Sequence, residues 1–276
     1  MNARVVAGWS ATCLLVALLT ANPGYRALVL VAALLAVAGA GWRRARPLLV
    51  GVGTAGLLTT ALNFVLSHLG ADVLFSLPAA WPAIGGAYTL EALVFGLVTG
   101  LTLAGALLAV APLSLRVEPH ELVDALPRSL SRTGAALAAG LNLVPVVARS
   151  FVEVAEAQRL RGWRPRGPRS WAEVALPVVL TAIESSIQTA ESMEARAYGS
   201  GSRTTYAALR WTRADLAVLA ACGLAALLFV VARALGQAVD WFPYPYLRAP
   251  ELSPLGIVAC LLLLVGPLAW RSRRSG

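Results

Sequence analysis

Six apolar runs constrain this chain more than any other feature. They cover residues 5–21, 27–42, 47–69, 88–115, 214–235 and 255–270, and a helix needs about 17–25 apolar residues to cross a bilayer. The chain is 58% hydrophobic with a mean hydropathy of +0.71, more than a soluble core can absorb. Backbone polar groups inside a bilayer must be satisfied within the segment, so long apolar runs of this kind are helices. The fold class is therefore an all-α integral membrane protein of about six transmembrane helices.

Arginine alone supplies the basic charge, because the sequence has no lysine. A nucleotide-binding P-loop needs its Lys, so none is expected, and ATP, if used, binds to another chain. The net charge of +9 reads as the positive-inside bias and not as nucleic-acid binding. With the amino terminus placed in the cytoplasm, Arg4, the Arg43, Arg44 and Arg46 cluster, everything from Arg116 to Arg213, and Arg271, Arg273 and Arg274 fall on one side. Only Arg26, Arg233 and Arg248 fall on the other. This arrangement gives transmembrane helices one to four in residues 1–116, a cytoplasmic or interfacial region in 117–213, and helices five and six with a basic tail in 214–276. Both termini are then cytoplasmic. Asn22-Pro23-Gly24 breaks the first two runs, and the first run is read as a span and not as a cleaved leader. Residues 70–86, with Asp72, Pro78, Trp81 and Pro82, read as an interfacial loop or short re-entrant piece. Gly96-x-x-x-Gly100 reads as a helix-packing site. Cys13, Cys222 and Cys260 have no metal or disulfide spacing; no cofactor or metal site is expected.

The central stretch is amphipathic instead of uniformly apolar. Pro119 reads as a first helical residue with Glu121 and Asp124 near the first turn. A second helix follows Pro145, with Val147, Phe151, Val154 and Ala155 on one face and Arg149, Glu153, Glu156 and Arg159 on the other. It stops at Gly162. A third begins between Trp171 and Pro177 and sets Val179, Ile183, Ile187 and Ala190 against Glu184, Gln188, Glu191 and Ser192, ending near Arg196 before a Gly199-Ser200-Gly201-Ser202 turn. Both helices end in an arginine, a small residue and an aromatic: Leu160-Arg161-Gly162-Trp163 and Ala195-Arg196-Ala197-Tyr198. A planar guanidinium at a rigid helix tip suits a bidentate pair with a partner carboxylate.

These corners, with Ser202-Arg203-Thr204 and the early Asn22-Pro23, resemble the transmembrane T component of energy-coupling factor (ECF) transporters, the group that includes CbiQ-type cobalt permease subunits. The resemblance implies a non-catalytic scaffold of an ABC-type importer for a vitamin or transition metal in a prokaryotic plasma membrane. Its partners would be two ABC-type ATPase subunits and a small membrane-embedded substrate-binding S component. Leu160, Arg161 and Gly162 would dock on one ATPase, and Ala195, Arg196 and Ala197 on the other. Val147, Phe151, Ile183 and Ile187 are candidates for S-component contact or for packing between the two helices. The chain departs from the commoner form at Leu160, where Ala is frequent, and at Ala197, where Gly or Ser is usual.

Two other classes are open to the residues themselves. A membrane-embedded hydrolase or transferase would use Glu153, Glu156, Glu184 or Glu191, although no His or Cys lies near them to complete a ligand set. A secondary transporter would carry ionisable groups within its spans, for which Glu91 is the main candidate.

Overall fold

Where the apolar runs fold, and where they break, is seen in a computed structural model that describes residues 2–78, 85–126, 131–198, 211–244 and 246–272. The Gly199-Ser200-Gly201-Ser202 turn, Ser202-Arg203-Thr204, Trp81, Pro82, Arg273 and Arg274 lie outside the described residues. Among the described residues the regular secondary structure is helical apart from one hairpin, and the chain divides into two units, Met1–Glu118 with Arg210–Gly276, and Pro119–Leu209.

The first unit contains α1 (Ala3–Leu19), α2 (Pro23–Ala38), α3 (Trp42–Leu66), α4 (Leu90–Arg116), α8 (Arg213–Ala234), α9 (Pro254–Leu262) and α10 (Val265–Ser272). α4 packs against α1, α2 and α3, while α8 packs against α1 and α9. Asn22 caps α2 by accepting from the Gly24 N–H at 3.0 Å, with Pro23 at the first helical position, so the early Asn-Pro element is a helix start. The amide of Asn22 also donates to the Glu251 carbonyl at 2.7 Å. At the opposite end of α2, the Arg116 guanidinium donates to the Ala36 carbonyl at 2.7 Å and lies 5.0 Å from the Trp270 ring. It thereby ties the carboxyl ends of α2, α4 and α10 together.

The expected glycine packing site is present. Thr60 Oγ1 donates to the Gly96 carbonyl at 3.2 Å. A Cβ on Gly96 would lie 2.7 Å from the Thr60 carbonyl oxygen, and one on Gly100 would lie 2.6 Å from that of Gly56. The backbones of α3 and α4 meet there because neither glycine has a side chain.

Four local expectations change within the first unit. The third run begins at Trp42, with Pro47 inside the helix in its second turn, where it costs the one hydrogen bond its N–H would have made to the Arg43 carbonyl. Residues 70–86 open into an antiparallel hairpin, β1 (Val73–Leu77) with β2 (Gly86–Thr89), where Phe75 pairs with Tyr88 and stacks on it at 4.6 Å. Tyr88 thus belongs to the hairpin, and the fourth span starts at Leu90, capped by Thr89. The sixth run is broken between α9 and α10. The indole of Trp9 donates to the Leu263 carbonyl at 2.8 Å, which satisfies an acceptor freed by the break, and Gly266 lets that indole approach.

The second unit contains α5 (Pro119–Asp124), α6 (Ser131–Leu160) and α7 (Ala172–Ala195), with a 3₁₀ turn at Pro168–Trp171 before α7. α6 does not begin after Pro145; it passes through it. The Ala- and Leu-rich sequence before that proline favours helix strongly enough to tolerate one missing N–H. α6 and α7 pair around Ala155, Val174 and Val178, with Val147, Val154 and Trp163 against them.

Among the described residues, six helices are long and apolar enough to cross a membrane: Trp42–Leu66, Leu90–Arg116, Ala136–Leu160, Arg169–Ala195, Arg213–Ala234 and Pro254–Arg271. This set differs from the six runs read from the sequence. α1 and α2, of 17 and 16 residues, rise only about 25 Å, cut short by Asn22-Pro23 and by the cap at Gly39. The two central helices qualify by length and composition, each with an apolar stretch of 18 residues or more.

Candidate partner-docking site

The two arginine corners share one backbone geometry. At the end of α6, Trp163 N–H donates to the Gln158 carbonyl at 3.0 Å and Gly162 N–H to that of Arg159 at 3.0 Å. At the end of α7, Tyr198 N–H donates to the Met193 carbonyl at 2.9 Å and Ala197 N–H to that of Glu194 at 2.9 Å. Both are Schellman caps: the residue after the cap turns left-handed, and the next one reaches back across the last turn. Gly162 has φ of +87° and Ala197 of +57°. Each arginine is therefore the cap residue itself, each small residue is the left-handed one, and each aromatic is the residue that closes the motif. A cation at that position also faces the negative end of the helix dipole.

Arg161 and Arg196 are both exposed. Leu160, beside the first, is 90% exposed. Ala195 and Ala197 are exposed beside the second. Neither arginine is in an ion pair among the described residues. Arg161 lies at the turn that leads into α7 and Arg196 caps its far end, so the two are separated by about the length of that helix, on the order of 35 Å.

The turn between the helices is fastened by aromatic contacts that no sequence period signals. Trp163 packs edge-on against Trp171 at 5.2 Å, Phe151 stacks on Trp171 at 5.7 Å, and the Trp163 indole donates to the Ser170 carbonyl at 3.1 Å. Trp171 and Ser170 hold Arg161 in place indirectly and were not among the residues expected at the site. Of the four apolar candidates, Val147 packs into the α6–α7 seam and Phe151 contacts Trp171. Ile183 and Ile187 are 52% and 54% exposed. α7 has two apolar faces: Val174 and Val178 meet α6, while Leu176, Val179, Leu180, Ile183 and Ile187 remain uncovered.

The carboxylates considered for catalysis, Glu153, Glu156, Glu184 and Glu191, are all exposed on α6 and α7. Among the described residues no group of three or more His, Cys, Asp or Glu side chains is placed to hold a metal ion. Glu91 is fully buried and accepts from the Ala71 and Asp72 N–H groups, each at 3.1 Å. It lies in the first turn of α4, so it joins the loop before the hairpin to a helix start, with the dipole in its favour.

Apolar helices in this number define a multi-pass all-α membrane protein, and its second unit carries two exposed arginine caps. The chain belongs to the CbiQ family, described as cobalt transport protein, whose match covers residues 1–206 and so includes both corners. Membership makes it a component of a membrane transport system. No curated protein matches it.

Proposed function

We propose that this chain is the membrane-embedded coupling subunit of an ECF-type ABC importer in a prokaryotic plasma membrane, with both termini and the 117–213 region in the cytoplasm. The observation that carries this reading is the matched pair of Schellman caps, which present Arg161 at the end of α6 and Arg196 at the end of α7. Leu160, Arg161 and Gly162 dock on one ABC ATPase subunit, and Ala195, Arg196 and Ala197 on the other. The uncovered face of α7, with Ile183 and Ile187, and the neighbouring Val147 and Phe151 meet a substrate-binding S component. Closure of the ATPase pair on ATP draws the two caps along and tips the S component between orientations. The chain itself performs no chemistry. The family description favours a cobalt cargo, with other transition metals or a vitamin as the alternatives that an S component would decide.

The test is co-purification. Losing one member of a buried, hydrogen-bonded charge pair costs about 2–5 kcal/mol, so Arg161→Glu with Arg196→Glu should abolish recovery of the ATPases from membranes in mild detergent. Insertion and yield of the chain should stay unchanged, because both side chains are exposed. ATPases recovered with the double variant at undiminished yield would refute the docking roles.

A further inference from the structure

The turn between α6 and α7 carries more charge than a pair of docking corners needs. Residues 157–172 contain five arginines, Arg159, Arg161, Arg164, Arg166 and Arg169, and no carboxylate. All five are exposed, and none is ion-paired among the described residues. The corner at Arg196, its match in cap geometry, is followed by one arginine, Arg203, in the next ten positions after Tyr198. If one cap arginine suffices for each ATPase, Arg164, Arg166 and Arg169 are available to a different ligand.

The turn is built, not loose. Arg166 N–H donates to Ser170 Oγ at 3.0 Å, and that hydroxyl donates to the Gly167 carbonyl at 2.8 Å. Trp163 and Trp171 flank the arginines. Indole rings beside arginines favour the headgroup level of a bilayer, and a guanidinium matches a phosphate in two hydrogen bonds. Beside the turn, Val152 and Trp171 are exposed, so an apolar surface adjoins the basic one without the residues assigned above to a protein partner. Three arginines spread around Pro165, Gly167 and Pro168, with only Arg169 on the 3₁₀ turn, share no single helix to align them for one protein groove; a fluid array of headgroups makes no such demand.

We propose that the 163–171 turn is a phospholipid-binding element, in which Arg164, Arg166 and Arg169 pair with the phosphates of anionic lipids and hold the α6–α7 hairpin at the membrane surface. The proposal rests on the cytoplasmic placement of this region proposed above, but not on ATPase docking.

The full chain carrying Ala172→Cys, labelled with a fluorophore, tests this, since the three native cysteines are buried. It is placed in nanodiscs of phosphatidylcholine alone or with one third phosphatidylglycerol, each doped with headgroup spin-labelled lipid. Nanodiscs offer both leaflets and contain no ATPase, so the outcome depends on neither topology nor docking. Quenching should be stronger in the anionic discs and fall with added salt. Each arginine lost should weaken attachment about fivefold. Arg164→Gln, Arg166→Gln and Arg169→Gln together should therefore weaken it about a hundredfold and return quenching to the phosphatidylcholine level. The same three positions as Lys should retain it, which separates lost charge from a damaged turn. Quenching that ignores lipid charge, or that survives the triple glutamine variant, overturns the proposal. So does shielding of the label that develops only when the ATPase pair is added.

Discussion

Ala197 is a non-glycine residue in the left-handed region, where a Cβ approaches the following carbonyl at a cost of about 1–2 kcal/mol. The Schellman hydrogen bonds at Met193 and Glu194 hold it there. Ala197→Gly should relieve most of that strain, less the extra freedom glycine gains in the unfolded chain, and raise stability by about 1 kcal/mol. Gly162→Ala is the reciprocal change. A Cβ there would meet nothing within 4 Å, so its cost, again about 1 kcal/mol, is conformational alone. Thermal unfolding in detergent checks both; equal melting temperatures for Ala197→Gly and the parent would mean that the cap is relaxed. This geometry also explains why the site was legible in part. The repeated arginine, small residue and aromatic stand out in the sequence because a C-terminal cap imposes its own residue at each position. The Phe151–Trp171–Trp163 contacts follow no period, since they depend on how a proline-rich turn folds back.

At the scale of elements, the sequence conveys best what repeats along a helix. The Gly96 and Gly100 spacing indicated a close approach, and α3 meets α4 at those residues. Gly100→Val would drive a branched side chain into the Gly56 carbonyl, which a Cβ alone would approach to 2.6 Å. Overpacking of this kind costs about 1–3 kcal/mol, so the variant should melt earlier and exchange amide hydrogens faster in both helices. Unchanged exchange in α3 would show that the helices can part without loss. Boundaries set by long-range partners were not legible. Pro145 looks like a helix start because the sequence does not reveal how strongly residues 131–144 hold helix on their own. The break after Leu262 depends on the Trp9 indole, more than 250 positions away in the chain. The Phe75–Tyr88 hairpin lies in a segment whose apolar residues fit a strand, a loop or a re-entrant piece equally well.

At the scale of the whole chain, the first unit is assembled from two sequence-distant parts, Met1–Glu118 and Arg210–Gly276, with the second unit inserted between them. Contacts that join those parts therefore carry its integrity. Trp9 reaches Leu263, Tyr25 OH lies 3.1 Å from Ser253 Oγ, and Asp240, in the loop after α8, joins both parts through one carboxylate. Asp240 accepts from Arg233 and from the Ala21 N–H at 2.8 Å. The hydrogen bond from Arg233 holds its carboxyl below the usual range; burial opposes this, and the Ala21 N–H with the charges of Arg233 and Arg26 adds to the lowering. A carboxylate with a lowered folded-state pKa stabilises the fold above its unfolded value, about 3.9 for Asp. That contribution is lost as pH falls through the folded value. The parent chain should consequently lose melting temperature as pH drops below about 4, and Asp240→Asn should begin lower at neutral pH and lose less over the same interval. Arg233 and Asp240 are 37% and 32% exposed, so solvent screening limits the effect to a modest one. Parallel pH profiles for the parent and Asp240→Asn would show that this carboxylate carries no part of the junction, leaving it to the apolar contacts and to the hydrogen bonds of Trp9, Asn22 and Tyr25.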